Sequence, residues 1–219
     1  YLVKRGMTRK FIAQYQLGYA LDAWDRLFGF LKRKGYSAPM IERAGLIVPR
    51  KKGDGYYDRF RHRVMFPIRD LNGRILAFGG RVLGDELPKY INGPETVVYH
   101  KSRSLYGMDQ ARNVCRREGR LFIVEGYFDA LSLHLNGIVN TVATLGTSLT
   151  ADHVKMIRGY LGEGGQVILV YDSDTAGLNA ARRSIQVFAD GLLEARIMVL
   201  PEGHDPDSFV MEAGTDQFQ

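Results

Sequence analysis

The chain has 219 residues, 45% apolar and 25% charged, a composition that suits one large or two small globular domains and excludes a disordered or fibrous chain. No apolar run approaches the roughly 20 residues that span a bilayer, and the single cysteine, Cys115, excludes an internal disulfide and a Cys-rich zinc site and points to a reducing cytoplasm. The net charge of +6 hides an asymmetry: residues 1–110 carry 21 basic and 10 acidic side chains, whereas residues 111–219 carry 9 and 14, so the first half suits a polyanion and the second a divalent cation, unless the charge serves only solubility.

Residues 8–45 read as helices. Thr8 caps a run through Tyr15, Asp22 begins a segment with Leu21, Trp24, Leu27, Phe28 and Leu31 at three-to-four spacing, and Ser37 begins a third that Gly45 ends. From Gly53 to Arg81 the pattern turns extended. Arg59-Phe-Arg-His-Arg-Val-Met-Phe-Pro-Ile-Arg alternates in part, Asp70-Leu-Asn-Gly is a hairpin turn, and Arg74-Ile-Leu-Ala-Phe resumes the strand. Pro88 to Thr96 reads as loop. After residue 110 strands at Leu121–Val124, Ile138–Thr144, Gln166–Tyr171 and Ala195–Leu200 alternate with helices at 128–135, 151–161 and 175–189, the rhythm of a parallel sheet covered on both faces. The chain opens at Tyr1 without an apolar signal segment and stops in a helix-like run, Asp207 to Gln219, so it reads as an internal fragment.

In open parallel sheets ligands bind outside the carboxyl ends of the strands. Glu125 follows the first strand, Asp172 and Asp174 the third, and Asp205 and Asp207 the fourth, while Asp129 lies one helical turn after Glu125. Carboxylates crowded at one face repel each other until a hard cation joins them, and Mg²⁺ takes a few carboxylates plus water and substrate phosphate. Each acid alone is as well explained by a helix cap or by solvation. Gly126 and Gly146 fall where the backbone turns after a strand, and Thr144-Leu145-Gly146-Thr147-Ser148 is either a phosphate cradle or an ordinary turn. In the basic half, Arg59, Arg61 and Arg63 share one strand face by period 2, and Lys89-Tyr90-Ile91-Asn92 with His100-Lys101 offers cations for phosphates and a ring for stacking a base. A solvated strand face gives the same alternation.

Val124-Glu-Gly-Tyr-Phe-Asp-Ala-Leu and Val170-Tyr-Asp-Ser-Asp-Thr-Ala-Gly resemble the Toprim domain of bacterial primases, topoisomerases and some nucleases. Arg63-Val-Met-Phe-Pro-Ile-Arg, Pro88-Lys-Tyr-Ile-Asn-Gly-Pro-Glu-Thr, Lys101 to Gly107 and Gly203-His-Asp-Pro-Asp resemble the bacterial replicative DNA primases in particular, and the likeness covers nearly the whole chain. The resemblance implies an α/β fold in which a Toprim-type parallel sheet flanked by helices is preceded by a basic α+β subdomain. The expected divisions are residues 1–100, a Toprim-like part at 101–209, and the start of a C-terminal helical segment at 210–219. The activity it implies is RNA primer synthesis in the primosome on a single-stranded DNA template from ribonucleoside triphosphates, with Mg²⁺ or Mn²⁺. By the same resemblance Glu125, Asp172 and Asp174 are the principal metal-site and catalytic carboxylates, with Asp129, Asp205 and Asp207 around them, and Arg81, Lys89, Tyr90, Asn92 and Lys101 form a basic ridge for template or nucleotide. The family's zinc-binding domain and its helicase-interacting domain fall outside this sequence, so zinc and the replicative helicase are expected only through other parts, and no membrane partner is expected. Lys101-Ser-Arg-Ser departs from the family's Lys-Gly, which predicts a different turn after Lys101.

The competing readings are a Toprim nuclease or topoisomerase fragment, since the same carboxylates can cut strands, and a non-catalytic nucleic-acid-binding module, which leaves the acidic cluster unexplained. A haloacid-dehalogenase-like phosphatase would use Asp172 and Asp174 but needs a later lysine, and none follows Lys155.

Overall fold

Thr8, in extended conformation, accepts a hydrogen bond from the Phe11 amide at 3.1 Å, and helix α1 (Arg9–Gln14) starts there. The computed structural model describes all residues except 163, 172–174, 191–192 and 219. Its contacts divide the chain into two units, Tyr1–Ile68 with Ile75–His100, and Arg69–Arg74 with Lys101–Gln219.

The first unit continues through β1 (Gly18–Ala20), α2 (Arg26–Arg33), α3 (Ala38–Arg43), β2 (Ile47–Pro49), β3 (Tyr56–Asp58), β4 (Arg63–Arg69), β5 (Ile75–Val82) and β6 (Tyr90–Asn92). One sheet runs in the order β1-β4-β5-β6, and β2 pairs with β3 as an antiparallel ribbon. Val64, Phe66 and Ile68, two apart along β4, are buried in the core beneath it. The turn after β4 forms as its sequence requires: Asp70 Oδ1 accepts from the amides of Asn72 and Arg74, both at 2.9 Å, and Gly73 takes the left-handed conformation at φ 80°.

Three expectations for this unit are corrected. Helix α2 begins after Asp25, not at Asp22, because the carbonyls of Leu21 and Trp24 are taken by the amides of His62 and Asp58. The buried Asp58 carboxylate then receives the Leu27 and Phe28 amides at 2.7 and 2.9 Å, which fixes where the helix starts. Arg59, Arg61 and Arg63 do not share a strand face: β3 ends at Asp58, His62 sits at φ 50°, and β4 begins only at Arg63. Tyr90–Asn92 is a strand, not loop, paired antiparallel with Gly79–Arg81. Pro88 lies just outside the three paired residues and so removes no ladder donor.

The second unit holds α4 (Met108–Glu118), β7 (Arg120–Val124), α5 (Tyr127–Leu135), β8 (Thr141–Ala143), α6 (Ala151–Leu161), β9 (Gln166–Tyr171), α7 (Thr175–Asp190), β10 (Glu194–Val199), α8 (Pro206–Ala213) and α9 (Thr215–Phe218). The four strands are parallel in the order β10-β9-β7-β8, the expected sheet. Leu121 and Ile123 join Val167 and Leu169 in a core that also takes Met108, Cys115, Ile157 and Phe188 from α4, α6 and α7. Phe122, the intervening residue of β7, meets Phe218 of α9 at a ring distance of 5.4 Å, so the strand is apolar on both faces. The second strand is shorter than predicted: Thr141 Oγ1 donates to the Ile138 carbonyl, and residues 138–140 stay irregular ahead of the strand. Helix α4 was not anticipated: it is polar, its cap is a left-handed Gly107, and only Met108, Ala111 and Cys115 mark its buried face. Burial pushes the Cys115 thiol up to about 12, so it is packing rather than chemistry. Among the described residues no helix is long and apolar enough to cross a membrane.

Candidate active site

The strand order reverses between β7 and β9: the next strand in sequence after β7 lies on its other side, and the chain returns to add β9 and then β10. Loops diverge at such a switch point and leave a crevice beyond the carboxyl ends of the two strands. Ile123 pairs with Leu169, so Glu125 and Tyr171 stand at the same level two residues on. Glu125, Gly146, Ser148, Tyr171 and Arg183 line one cavity of about 380 Å³ there. Glu125 is exposed to it, and burial, then the Glu125 charge, raise the pKa of Tyr171, whose hydroxyl lies 2.8 Å from Ser184 Oγ.

Asp172 and Asp174 follow Tyr171 in sequence and lie outside the described residues. Among the described residues no three acidic, histidine or cysteine side chains gather as a metal site. Asp129 sits in the first turn of α5, its Oδ2 accepting from the Gly126 amide at 2.9 Å. Gly126 has an ordinary φ of −112°, and a Cβ there would lie 2.8 Å from Asp129 Oδ2, so the Asp129 carboxylate would have to give way. Of the two glycines expected at sharp turns, Gly146 is the one in the left-handed conformation, at φ 72°, with Leu145 before it at φ 59°. Asp205 caps α8 by accepting from the Ser208 amide at 2.7 Å, and Asp207 lies in that helix's first turn. The donor chemistry present fits a hard divalent ion. Glu125 offers exposed carboxylate oxygens to a polar-rimmed cavity and its charge is felt at Tyr171, next to the two further acids of the sequence.

Five basic residues of the first unit, Arg59, Arg61, Arg63, Arg81 and Lys89, lie in or beside the region of β6. Arg81 faces Tyr90 in the register, and its guanidinium lies over the Tyr90 and Tyr1 rings at 5.8 and 4.9 Å. Asn92 pairs with Gly79 on the same strand. Arg63 donates to the carbonyls of Pro88 and Lys89 at 2.9 and 3.2 Å, anchoring the main chain that presents the Lys89 side chain. Arg59 donates to the Gly45 carbonyl at 2.8 Å, and Arg61 stacks over Trp24 and Tyr57 at 4.3 and 5.0 Å while donating to the Asp58 carbonyl. Although not on one strand, Arg59, Arg61 and Arg63 line one cavity of about 670 Å³ with Asn92.

In the second unit, the turn Lys101–Arg103 is a 3₁₀ turn clasped by the start of α6. His153 is fully buried, its Nε2 3.0 Å from the Lys101 carbonyl; Thr150 Oγ1 donates to the Ser102 carbonyl at 2.7 Å; Arg103 pairs with Asp152 at 2.9 Å. Sequence reasoning missed this clasp and the place of Arg183 in the cavity. The only signal was the capping threonine Thr150 before Ala151, since the partners are some fifty residues apart.

A parallel sheet with an acidic strand end at its switch point and a glycine-turned loop beside it is the Toprim arrangement. Residues 122–210 match the Toprim-like family model, and residues 1–112 match that of the DNA primase catalytic core, N-terminal domain. Over its whole length the chain is 43% identical to a DNA primase of Clostridium acetobutylicum, of which it covers 36%. A DNA primase domain from Pseudomonas aeruginosa matches with a TM-score of 0.89 at 44% identity, covering 100% of this chain and 68% of that one. The DnaG primase catalytic domain bound to ssDNA matches with a TM-score of 0.88 at 43% identity, covering 100% and 70%. The chain belongs to the bacterial DNA primase family, and it spans about a third of the length of the curated relatives it matches.

Proposed function

We propose that the chain is a primase catalytic core that joins ribonucleotides on a single-stranded DNA template in the cytoplasm. The observation that carries the reading is the placement of Glu125 in the cavity at the β7/β9 switch point, immediately beside the strand end from which Asp172 and Asp174 follow. In this reading Glu125, Asp172 and Asp174 would hold Mg²⁺ or Mn²⁺. Asp129, Asp205 and Asp207 would add negative field or bind through water. A bound divalent ion supplies charge neutralisation at a transferring phosphoryl group and a lowered pKa for an attacking hydroxyl.

The remaining work falls to the chain's own groups. Arg183, exposed at the rim of the cavity, suits the triphosphate of an incoming ribonucleotide, while the Leu145 amide donates to the Glu125 carbonyl and ties the left-handed Leu145–Gly146 turn to the end of β7. Arg81, Lys89, Tyr90 and Asn92 around β6, with Arg59, Arg61 and Arg63 beneath, would hold the template by phosphate contacts and stacking, and Lys101 would act from its clasped turn. The division of labour follows the expected parts: residues 1–100 position nucleic acid, residues 101–209 carry the chemistry, and residues 210–219 lead into a helical segment. Zinc and the replicative helicase would act through parts of the longer protein. The solved relative bound to ssDNA supports a single-stranded partner.

The test is template-directed ribonucleotide incorporation with and without Mg²⁺, comparing wild type with Asp172→Asn. Loss in the variant and without the metal is expected. Equal incorporation by both proteins would reject the catalytic role, and nicking without synthesis would favour the nuclease reading.

A further inference from the structure

His153 has 0% of its surface exposed, in a place that an apolar side chain would fill without the cost of desolvating ring nitrogens. Both of its nitrogens are committed: Nε2 faces the Lys101 carbonyl and Nδ1 the Thr150 amide. The Lys101 carbonyl also accepts from the Ser104 amide at 3.3 Å, the bond that closes the 3₁₀ turn Lys101–Arg103. Three residues of 3₁₀ helix have little stability of their own. The groups that hold this turn therefore decide where the Lys101 side chain starts.

The segment from Lys101 to Tyr106 is laid along the loop that lines the Glu125 cavity. At one end Tyr106 exchanges both main-chain bonds with Ala143, the last residue of β8, each at 3.0 Å. Its ring meets that of Tyr127, two residues after Glu125, at a centroid distance of 4.8 Å. At the other end Lys101 and Ser102 are held by His153 and Thr150. Between those two ends Thr144, Gly146, Ser148 and Leu149 line the cavity, and all of these groups belong to one unit. The Arg103–Asp152 pair of the same turn is exposed on both sides, so solvent screening leaves it little weight beside the bonds of His153 and Thr150.

Resting on the phosphate-binding role read above for Lys101, we propose that His153, backed by Thr150, is a positioning residue for it. The buried ring fixes the Lys101 main chain at the carboxyl side of the sheet, beside the Glu125 cavity, so that its ammonium meets a phosphate group of the template or of the incoming ribonucleotide. A lysine ammonium rides on a flexible four-carbon stem, and a fixed main-chain origin removes part of the ordering cost before the phosphate arrives.

The experiment is a double-mutant cycle on the whole chain: wild type, Lys101→Ala, His153→Leu and the pair. Two readouts separate the sources of phosphate. The Kd for a thymidine oligonucleotide, by fluorescence anisotropy at several salt concentrations, reads the template; the KM for ribonucleotides in template-directed incorporation with Mg²⁺ reads the incoming triphosphate. In one of the two, Lys101→Ala is expected to lose roughly tenfold and His153→Leu roughly threefold or more, while the pair loses no more than Lys101→Ala alone. A template phosphate would also lower the logarithmic salt slope, by about 0.7 in Lys101→Ala. His153→Gln sets an amide N–H as many bonds from Cα as the ring Nε2 and is expected to regain most of the loss. Thr150→Val against Thr150→Ser reads the same effect without altering the buried ring. Wild-type values in His153→Leu, additive losses in the pair, or no recovery with glutamine would each overturn the proposal, as would Lys101→Ala without effect on either readout. The cycle running as expected on the oligonucleotide in a protein that incorporates nothing would strike primer synthesis and uphold the positioning role.

Discussion

The Nε2 of His153 lies 3.0 Å from the main-chain carbonyl of Lys101, 52 residues earlier. Its other nitrogen, Nδ1, accepts from the Thr150 amide at 3.3 Å, so the ring is a neutral tautomer with its proton toward Lys101. Burial lowers its pKa and keeps it in that form. The strand-end loop that borders Glu125 and the turn that carries Lys101 are thereby tied to the same first turn of α6.

Thr150→Val removes both the cap of α6 and the bond to the Ser102 carbonyl, whereas Thr150→Ser keeps both. The valine variant is expected to lose about 1–2 kcal/mol of stability and the serine variant less than about 0.5 kcal/mol. Urea unfolding distinguishes them, and equal midpoints would contradict the clasp.

Gly126→Ala places a methyl group 2.8 Å from Asp129 Oδ2, so the carboxylate must leave the Gly126 amide or the turn after β7 must shift. The carboxylate is the end of a flexible side chain and gives way first, so the start of α5 loses its bond to the Gly126 amide. The expected result is a loss of about 0.5–2 kcal/mol of stability in urea unfolding, and an unchanged midpoint would mean that this bond does not hold the start of α5.

His134 is buried and donates from Nε2 to the Thr141 carbonyl at 2.8 Å, and burial lowers its pKa from 6.5 to about 4. Because the folded state holds the neutral ring, the unfolded chain takes up a proton first as the pH falls below 6.5. Stability is therefore full above that pH and declines by about 2–3 kcal/mol toward pH 4. Denaturation curves across this window should flatten in His134→Gln, and an unchanged slope would contradict the assignment.

Lys89→Ala removes a side chain but not the carbonyl that Arg63 holds, so the local fold persists. Single-stranded DNA affinity should fall, and the logarithmic salt slope should shrink by about 1. Titrations at several salt concentrations decide it, and an unaltered slope would remove Lys89 from the ridge.

The elements most legible in the sequence were those whose own residues determine their limits. The run Gln166–Tyr171 is apolar from its second residue on and bounded by glycine and aspartate, and Ala151–Leu161 is opened by its own threonine cap; both form as read. Misreadings arose where distant groups decide. Leu21 and Trp24 fit a helical spacing, but their carbonyls serve His62 and Asp58. The alternation of Arg59, Arg61 and Arg63 looked like a strand, yet each guanidinium finds a different partner across a bent chain. At the site, the position of Glu125 was readable because a strand's end fixes the next residue. The clasp of Lys101 was not, since no local pattern records a bond between residues fifty apart.

The central claim is that Glu125 and the acids after β9 hold a divalent cation together. Mn²⁺ titrated into the protein and followed by electron paramagnetic resonance measures this directly. The account predicts a bound ion in wild type and a loss of roughly tenfold or more in affinity in both Glu125→Gln and Asp172→Asn. Binding isotherms identical in all three proteins would contradict it.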